Sequence, residues 1–460
     1  MVHDSHGSIS QMGFNIPELH TVRLFVLRHQ LVLILVGIVI ALSSGGAYVW
    51  THAKSSESAI QYQTPEEADA FVRFDMEVYD SITTNYWMRP EDLKLPELFR
   101  LSVEKVTATT TVLVTPDRAG TSKMLEVAFR SATSTENKRQ IALNIGAVVL
   151  YNLPPAGRNG ILSKKEEVAL RENVSNIDSS KDLYQNLGLK KGATPEEVTL
   201  AYKKKAAIFA NATSTEDKAA LAVATYAQSV LTNSNSKALY DSAGIEPTVF
   251  PRTLGSTLYL HINKISPTTL REFGLAVDAA STTPGLSSMV LDLRGNIGGS
   301  LDFLPAFFGL FVGANQYTFD LFHQGDYQVE RTTQEKFPLV ERYTEIAILT
   351  DAMTQSTAEL TAATFKKFNR AHVVGGTTRG WGTVENTYPL KTVIDPTTSY
   401  SLLLVNSITL REDNQPVEGR GVDPDVDTSK SGWENKLSNY FDSASLINAI
   451  RKTATKPPLK

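Results

Sequence analysis

The sequence predicts a mixed α/β fold for its C-terminal half, preceded by all-helical regions and by one N-terminal transmembrane helix. Three observations support this prediction. An uncharged apolar run occupies residues 31–50. Helical patterns fill most of residues 65–245. From residue 254 onward, short apolar runs alternate with amphipathic helices, which is typical of an α/β protein.

The composition excludes several kinds of chemistry. The chain has 460 residues, with 45 Lys and Arg against 49 Asp and Glu, so its net charge is −4. This mild acidity gives no reason to expect a nucleic-acid partner. The sequence contains no Cys, which excludes a disulfide framework, cysteine nucleophiles and thiolate metal sites. A chain of this length has room for about two to four domains.

The apolar run at residues 31–50 is long enough to cross a bilayer, because about 20 helical residues span a hydrocarbon core of roughly 30 Å. Arg23 and Arg28 precede the run, and acidic residues follow it. The positive-inside rule therefore predicts that residues 1–29 are a cytoplasmic tail and that the later domains lie outside the cell membrane. We interpret residues 30–50 as an uncleaved signal anchor, with a cleaved signal peptide as the alternative.

Residues 60–180 are predicted to form a helical spacer domain. Helical patterns cover residues 65–106 and 123–153, and the second pattern ends at a Pro-Pro pair. A charged helix follows at residues 164–174. No motif in this region carries recognisable chemistry.

Residues 182–245 are predicted to form a compact helical unit. Thr194 and Glu197 have the spacing of a capping box around Pro195. The segments DLYQNLGL, ATPEEVTLAYKK and SKALYDSAG, in this order, resemble a J domain of the DnaJ type. J domains carry His-Pro-Asp after their basic helix, whereas this sequence has Ala-Asn-Ala at residues 210–212. The resemblance therefore implies a J-like fold used as a spacer or interaction module.

Two turns in the C-terminal half are candidates for chemistry. Residues 294–299 (RGNIGG) join an apolar strand to a helix, so their free backbone N–H groups converge on one point. This segment is either an anion site or simply a tight turn. Ser356 stands at a second strand-to-helix junction. A Ser there is either an N-cap or a nucleophile, and the N–H of Thr357 can then stabilise an oxyanion.

Four motifs in a fixed order resemble the catalytic domain of C-terminal processing, or tail-specific, serine peptidases. This resemblance implies an α/β peptidase core of the ClpP/crotonase-like β-β-α type over residues 250–430, with residues 431–460 as a C-terminal helix and tail. The motifs are YLHINKIS (259–266), VLDLRGNIGGSLD (290–302), the Ser356 segment followed by FNRAHVVGGTTRGWGTV (368–384), and QPVEGRGVDPDV (415–426).

The resemblance implies Ser356 as the nucleophile, with the N–H groups of Gly298, Gly299 and Thr357 forming the oxyanion hole. The family's general base is a Lys between two glycines, and this sequence has Trp381 at that position. An indole cannot accept the Ser proton, and general-base assistance is typically worth about 10²–10⁴-fold in rate.

The sequence offers three other proton acceptors. Glu385 aligns with the Gln that supports the Lys in many family members, and it is the preferred candidate base. His261 and His372 lie on predicted strands and are the alternatives.

The family function would be proteolysis near the C-termini of protein substrates by serine acylation. No metal or organic cofactor is implied. The first hypothesis is an active peptidase with a rearranged base, and the second is a pseudopeptidase that binds polypeptides or acts as a scaffold. The predicted partners are a protein or peptide substrate and the membrane, which the N-terminal helix would enter.

Overall fold

The structure, a computed structural model, describes residues 63–209, 214–411 and 413–459. The chain divides into two units, Met1–Gln63 and Thr64–Lys460, and the elements below belong to the second. No helix within the described ranges is both long and apolar enough to cross a membrane. The predicted tail and signal anchor, and the Ala-Asn-Ala at residues 210–212, lie outside the described residues.

Helices build the N-terminal half of the described chain. Several begin at a side-chain cap: Asp69, Asp117 and Ser134 each accept a hydrogen bond from a backbone N–H in the first turn. The α-helices of this half are α1 (Ala70–Asn85), α2 (Leu95–Thr107), α3 (Arg118–Arg130), α4 (Thr135–Asn152), α5 (Lys164–Val174), α6 (Pro195–Ile208), α7 (Thr215–Thr232) and α8 (Ser234–Ala243).

Strands and helices alternate in the C-terminal half, which confirms the predicted α/β organisation. One strand, β1 (Gly160–Ser163), lies in the N-terminal half, and the strands of the C-terminal half are β2 (Val249–Leu254), β3 (Thr257–Ile262), β4 (Ser288–Asp292), β5 (Tyr317–His323), β6 (Asp326–Arg331), β7 (Glu345–Thr350), β8 (His372–Gly375), β9 (Thr383–Pro389), β10 (Tyr400–Thr409) and β11 (Val426–Asp427). The helices are α9 (Thr269–Ser281), α10 (Phe303–Val312), α11 (Thr357–Lys367), α12 (Trp433–Lys436) and α13 (Ala444–Thr453).

One sheet of the described residues has the strand order β11-β8-β7-β4-β3-β2. Its strands are parallel except for the antiparallel β2–β3 pair. Successive residues of the central strands enter different cores: Met289 and Leu291 face one core, and Val290 faces the other. The sheet is thus buried on both faces, which is why its strands have nearly continuous apolar sequences.

The second sheet connects the two halves of the chain. Its order is β1-β10-β5-β6, with β9 also paired to β10, and all pairs are antiparallel. Side chains of α1–α4 share one core with Leu402, Leu404 and Val405 of β10. The sequence predicts a helical spacer at residues 60–180, but in the structure this region includes a strand, β1. This strand pairs with β10, about 240 residues later in the chain.

The segment that the sequence predicts to be J-like, residues 182–245, has a core of its own. Buried side chains from residues 183–231, including Leu187, Val198 and Ala227, form a cluster separate from both sheets' cores. The capping box predicted at the start of α6 is present: Thr194 Oγ1 accepts the N–H of Glu197, whose carboxylate accepts the N–H of Thr194. The two ends of the segment lie side by side, because Ile177 and Ile245 form an antiparallel bridge.

Candidate active site

Ser356 lies at the junction between β7 and α11. Its backbone angles are φ 57° and ψ −132°, and non-glycine residues rarely adopt a positive φ. Such a conformation costs about 1–3 kcal/mol and persists only where the surrounding structure enforces it. The sharp turn leaves the Ser356 side chain partly exposed at the start of the helix.

The buried carboxylate of Glu359 enforces this conformation. Its Oε2 atom accepts the backbone N–H of Ser356 at 2.8 Å and that of Trp381 at 2.7 Å. Its Oε1 atom accepts the backbone N–H of Gly380 at 2.6 Å and also the hydroxyl of Thr378. One side chain therefore fastens the turn at Ser356 to the loop that carries Trp381. Sequence reasoning missed this role, although the buried helical position of Glu359, three residues after Ser356, was a usable signal.

The glycine-rich turn that follows β4 lies directly against Ser356. A Cβ atom on Gly298 would be 2.7 Å from Ser356 Cβ, and Gly298 has a φ of +84°. A Cβ atom on Gly299 would be 1.7 Å from the carbonyl oxygen of Ile265. Only glycine fits these two positions, because any side chain would collide with neighbouring backbone or with Ser356 itself.

Two of the three predicted oxyanion donors are available. The N–H of Gly298 donates to Asn296 Oδ1 at 2.8 Å. Within the described residues, the N–H groups of Gly299 and Thr357 have no hydrogen-bond acceptor. Thr357 is the first residue of α11, so its N–H also carries the positive end of the helix dipole. The Thr357 hydroxyl donates to the Gly299 carbonyl at 2.9 Å, which holds the two turns together.

A second set of bonds joins the loops on either side of Ser356. Asp351 Oδ1 accepts the N–H of Gly295 at 3.0 Å and that of Thr354 at 2.9 Å. The N–H of Gln355 donates to the carbonyl of Asn296 at 2.9 Å. These bonds hold the glycine turn in a fixed position relative to Ser356. Stabilisation of an oxyanion requires donors that are preorganised in this way.

The Trp381 indole is held on two sides. Its Nε1–H donates to Glu385 Oε1 at 2.9 Å, and the guanidinium carbon of Arg158 lies 3.4 Å from the ring centroid. Arg158 also pairs with Glu418 at 2.8 Å. Burial raises the pKa of the Glu385 carboxyl, opposed by the hydrogen bonds from Thr383 and Trp381 and by the charge of Arg158.

Part of the chain matches a known protein family. The family model described as Peptidase family S41 matches residues 256–428. This segment is a peptidase S41 domain. The match begins next to β3 and ends just after β11, so it contains both turns that meet at Ser356.

Curated relatives match the same part of the chain. A "Probable CtpA-like serine protease" of Staphylococcus aureus strain N315 is 30% identical over 188 residues, which cover 40% of this chain and 36% of that protein. A protein of the same name from Staphylococcus epidermidis is 26% identical over 182 residues, covering 39% and 35% of the two chains. The present chain therefore spans little more than a third of the length of these relatives.

Solved structures resemble the chain more broadly but more distantly. A lipoprotein from Streptococcus agalactiae superposes with a TM-score of 0.43 at 15% identity, covering 82% of this chain and 98% of that one. The photosystem II D1 C-terminal processing protease superposes with a TM-score of 0.45 at 12% identity, covering 79% and 93%.

Most of the predicted site residues lie together in the S41 domain. None of the candidate bases, however, forms a hydrogen bond with Ser356 among the described residues. Ser356, Thr357, Gly298 and Gly299 lie next to one another. Among the described residues, no imidazole, carboxylate or amine hydrogen-bonds the Ser356 hydroxyl.

The three candidate bases of the S41 domain are engaged elsewhere. Glu385 bonds to Trp381 and Thr383. His261 Nδ1 lies 3.2 Å from the Asp292 carbonyl oxygen, and His372 lies 3.8 Å from the Asp425 carboxylate. A base role for any of them stays a prediction.

Proposed function

We propose that this chain is a serine-type peptidase that cleaves protein substrates with Ser356 as its nucleophile. The observation that carries the proposal is the strained Ser356 turn beside the N–H groups of Gly299 and Thr357, which have no acceptor within the part of the chain that the structure describes. In the reaction, Ser356 Oγ attacks the scissile carbonyl carbon, and the two N–H groups stabilise the negative charge that develops on the carbonyl oxygen. Expulsion of the amine leaves an acyl-enzyme, which water then hydrolyses.

Glu385 is the group that we propose as the proton acceptor. Burial raises its pKa, which makes its carboxylate a stronger base than an exposed one. It bonds to the indole of Trp381, whose backbone N–H shares the Glu359 carboxylate with Ser356. No direct bond joins Glu385 to Ser356 among the described residues, so we propose that a water molecule carries the Ser356 proton to Glu385 and that this proton then passes to the leaving amine.

A serine-reactive fluorophosphonate probe tests the proposal on the purified full chain. We expect covalent labelling of the wild type that disappears in Ser356→Ala and persists in Ser438→Ala, a control at an exposed serine. Cleavage of an unfolded test protein should follow the same pattern. If the wild type shows neither labelling nor cleavage, the peptidase proposal fails.

A pseudopeptidase that binds polypeptides is the second candidate. It is favoured by Trp381, which the family resemblance places at the position of the base and which Arg158 and Glu385 hold in place. This candidate predicts that fluorescence anisotropy detects binding of an unfolded, dye-labelled polypeptide while the probe does not label Ser356. Labelling at Ser356 together with cleavage would exclude it.

We also propose that residues 30–50 anchor the chain in the cell membrane, with residues 1–29 in the cytoplasm and the folded part outside. The length of the apolar run and the charges that flank it support this orientation. Because the chain has no Cys, single Cys variants can be labelled selectively. A membrane-impermeant maleimide should label Ser438→Cys in intact cells and leave Ser5→Cys unlabelled; the reverse pattern would refute the orientation.

For the J-like segment we propose a role as an interaction module. Its separate core and its adjacent ends support this role, since such a unit can be presented without disturbing the sheets. The Asn176 side chain closes the stem by donating to the carbonyl of Glu246 at 2.9 Å. Replacing residues 178–244 by a short Gly-Ser linker should leave probe labelling intact and abolish partner capture; loss of folding would contradict the modular role.

A further inference from the structure

The loop between α2 and α3 exposes aliphatic side chains. Val112 is 74% exposed and Val114 is 73% exposed, whereas Leu113 between them packs against the helical core. Residues 108–116 (ATTTVLVTP) carry no charge. Exposed apolar surface on a folded protein can mark an interaction site, and this loop combines two exposed valines with a lack of charged side chains.

This loop lies beside the point where the chain enters the described structure. The hydroxyl oxygens of Thr64 and Ser122 are 2.7 Å apart, and Glu67 pairs with Arg118 at 2.6 Å. Ser122 and Arg118 lie in the first two turns of α3, which follows the loop. The loop also touches this turn, because a Cβ atom on Gly120 would be 2.1 Å from the carbonyl oxygen of Thr115.

The first described residue, Gln63, lies close in sequence to the predicted membrane anchor. The segment of 13 residues at 51–63 joins them, and even when fully extended it reaches at most about 45 Å. A segment of this length is short enough for the loop to reach the bilayer if residues 30–50 span it. An uncharged loop with outward Val side chains suits that surface, since burying aliphatic groups among lipid is favourable and hydroxyls are tolerated at the headgroup level.

We propose that residues 108–116 form a membrane-contact loop that inserts Val112 and Val114 into the interfacial layer of the bilayer. This inference rests on the proposed membrane anchor and is independent of the peptidase chemistry. The contact would give the helical region a second point of attachment to the membrane besides the proposed anchor.

Single-site fluorescence tests the contact directly. Val114→Cys, labelled with the environment-sensitive dye nitrobenzoxadiazole, is reconstituted as the full chain into vesicles of phosphatidylcholine and phosphatidylglycerol. We expect blue-shifted emission and at least twofold quenching by acyl chains that carry a spin label. The matched control is Val329→Cys on β6, where Val329 is 52% exposed, and its dye should emit as in water.

Vesicle flotation separates this proposal from the anchor. If the chain floats but the dye at position 114 matches the dye at position 329, the loop proposal is overturned while the anchor stands. If the chain does not float, the anchor and the loop contact both fail, and the Ser356 labelling experiment remains unaffected. A blue shift without quenching by lipid identifies a protein contact and likewise overturns the proposal.

Discussion

The buried carboxylate of Glu359 accepts the backbone N–H of Ser356 at 2.8 Å, and the same oxygen accepts the N–H of Trp381. The proposed nucleophile and Trp381, which the family resemblance places at the position of the base, are therefore bonded to one atom. This arrangement explains how a non-glycine residue is kept at φ 57°, because releasing Ser356 would leave a charged, buried oxygen with fewer donors.

Glu359→Gln should weaken both the fold and the site. An amide has one acceptor oxygen, and its own N–H groups would face backbone donors, so about two charge-assisted bonds are lost. We expect the free energy of unfolding to fall by about 2–4 kcal/mol, and the rate of probe labelling at Ser356 to fall at least tenfold. Chemical denaturation and labelling kinetics measure the two effects. Glu196→Gln, at an exposed position, is the control; wild-type labelling by a folded Glu359→Gln variant would contradict this role.

Trp381→Lys should increase the reactivity of Ser356. The backbone of residue 381 is held next to Ser356 through Glu359, so a Lys amine could approach the hydroxyl. The neighbouring Arg158 charge would lower the pKa of that amine, and the Glu385 carboxylate would raise it. We expect labelling to be about 10²–10⁴-fold faster than in Trp381→Leu. Equal rates in two folded variants would show that residue 381 does not reach the hydroxyl.

Asp75→Leu should stabilise the helical region at neutral pH. Both carboxyl oxygens of Asp75 are buried and lack a hydrogen-bond partner among the described residues, and burial raises its pKa well above 3.8. The folded chain thus keeps a proton that the unfolded chain loses near pH 4, so stability falls as the pH rises through the raised pKa.

Removing this carboxyl should raise the free energy of unfolding at pH 7 by about 1–3 kcal/mol and flatten its dependence on pH. Denaturation between pH 4 and pH 8 measures both effects. Asp326→Asn, at an exposed position, should change neither. A Leu variant that is less stable than the wild type at pH 7 would show that the carboxyl has an unrecognised partner.

Arg294→Met should destabilise the S41 domain and weaken its contacts with the segment around Ala454 and Lys456. Arg294 bonds to the buried carboxylate of Asp292, with Nε to Oδ1 at 2.9 Å, and donates to the carbonyls of Ala454 at 2.9 Å and Lys456 at 2.6 Å. Its removal leaves Asp292 without its cationic partner, and breaking a buried pair in this way costs about 3–5 kcal/mol.

The double variant Asp292→Asn/Arg294→Met provides the comparison, because it removes the unpaired charge as well. We expect thermal unfolding of the double variant at a higher temperature than that of Arg294→Met alone. If the two variants melt at the same temperature, the bonds to the C-terminal carbonyls, rather than the ion pair, supply the stabilisation.

Sequence patterns located the residues of the candidate site within each turn. Ser356 and Thr357 were placed by their strand-to-helix junction, and the Gly298–Gly299 pair by the glycine-rich turn after an apolar strand. The alternation of apolar runs and amphipathic helices also predicted the α/β organisation. These features are local, since a turn and the elements on either side of it depend on a few consecutive residues.

Only the tertiary structure decided which of these groups are bonded and which are free. In it the N–H of Gly298 donates to Asn296, whereas those of Gly299 and Thr357 have no acceptor among the described residues. It also placed Arg158 of the helical region on the indole of Trp381 and joined β1 to β10. The Arg158–Trp381 contact and the β1–β10 pairing join residues that are more than 200 positions apart in the chain. No local pattern encodes them, because they depend on the path of the chain through both sheets and on the side chains that its folding buries together.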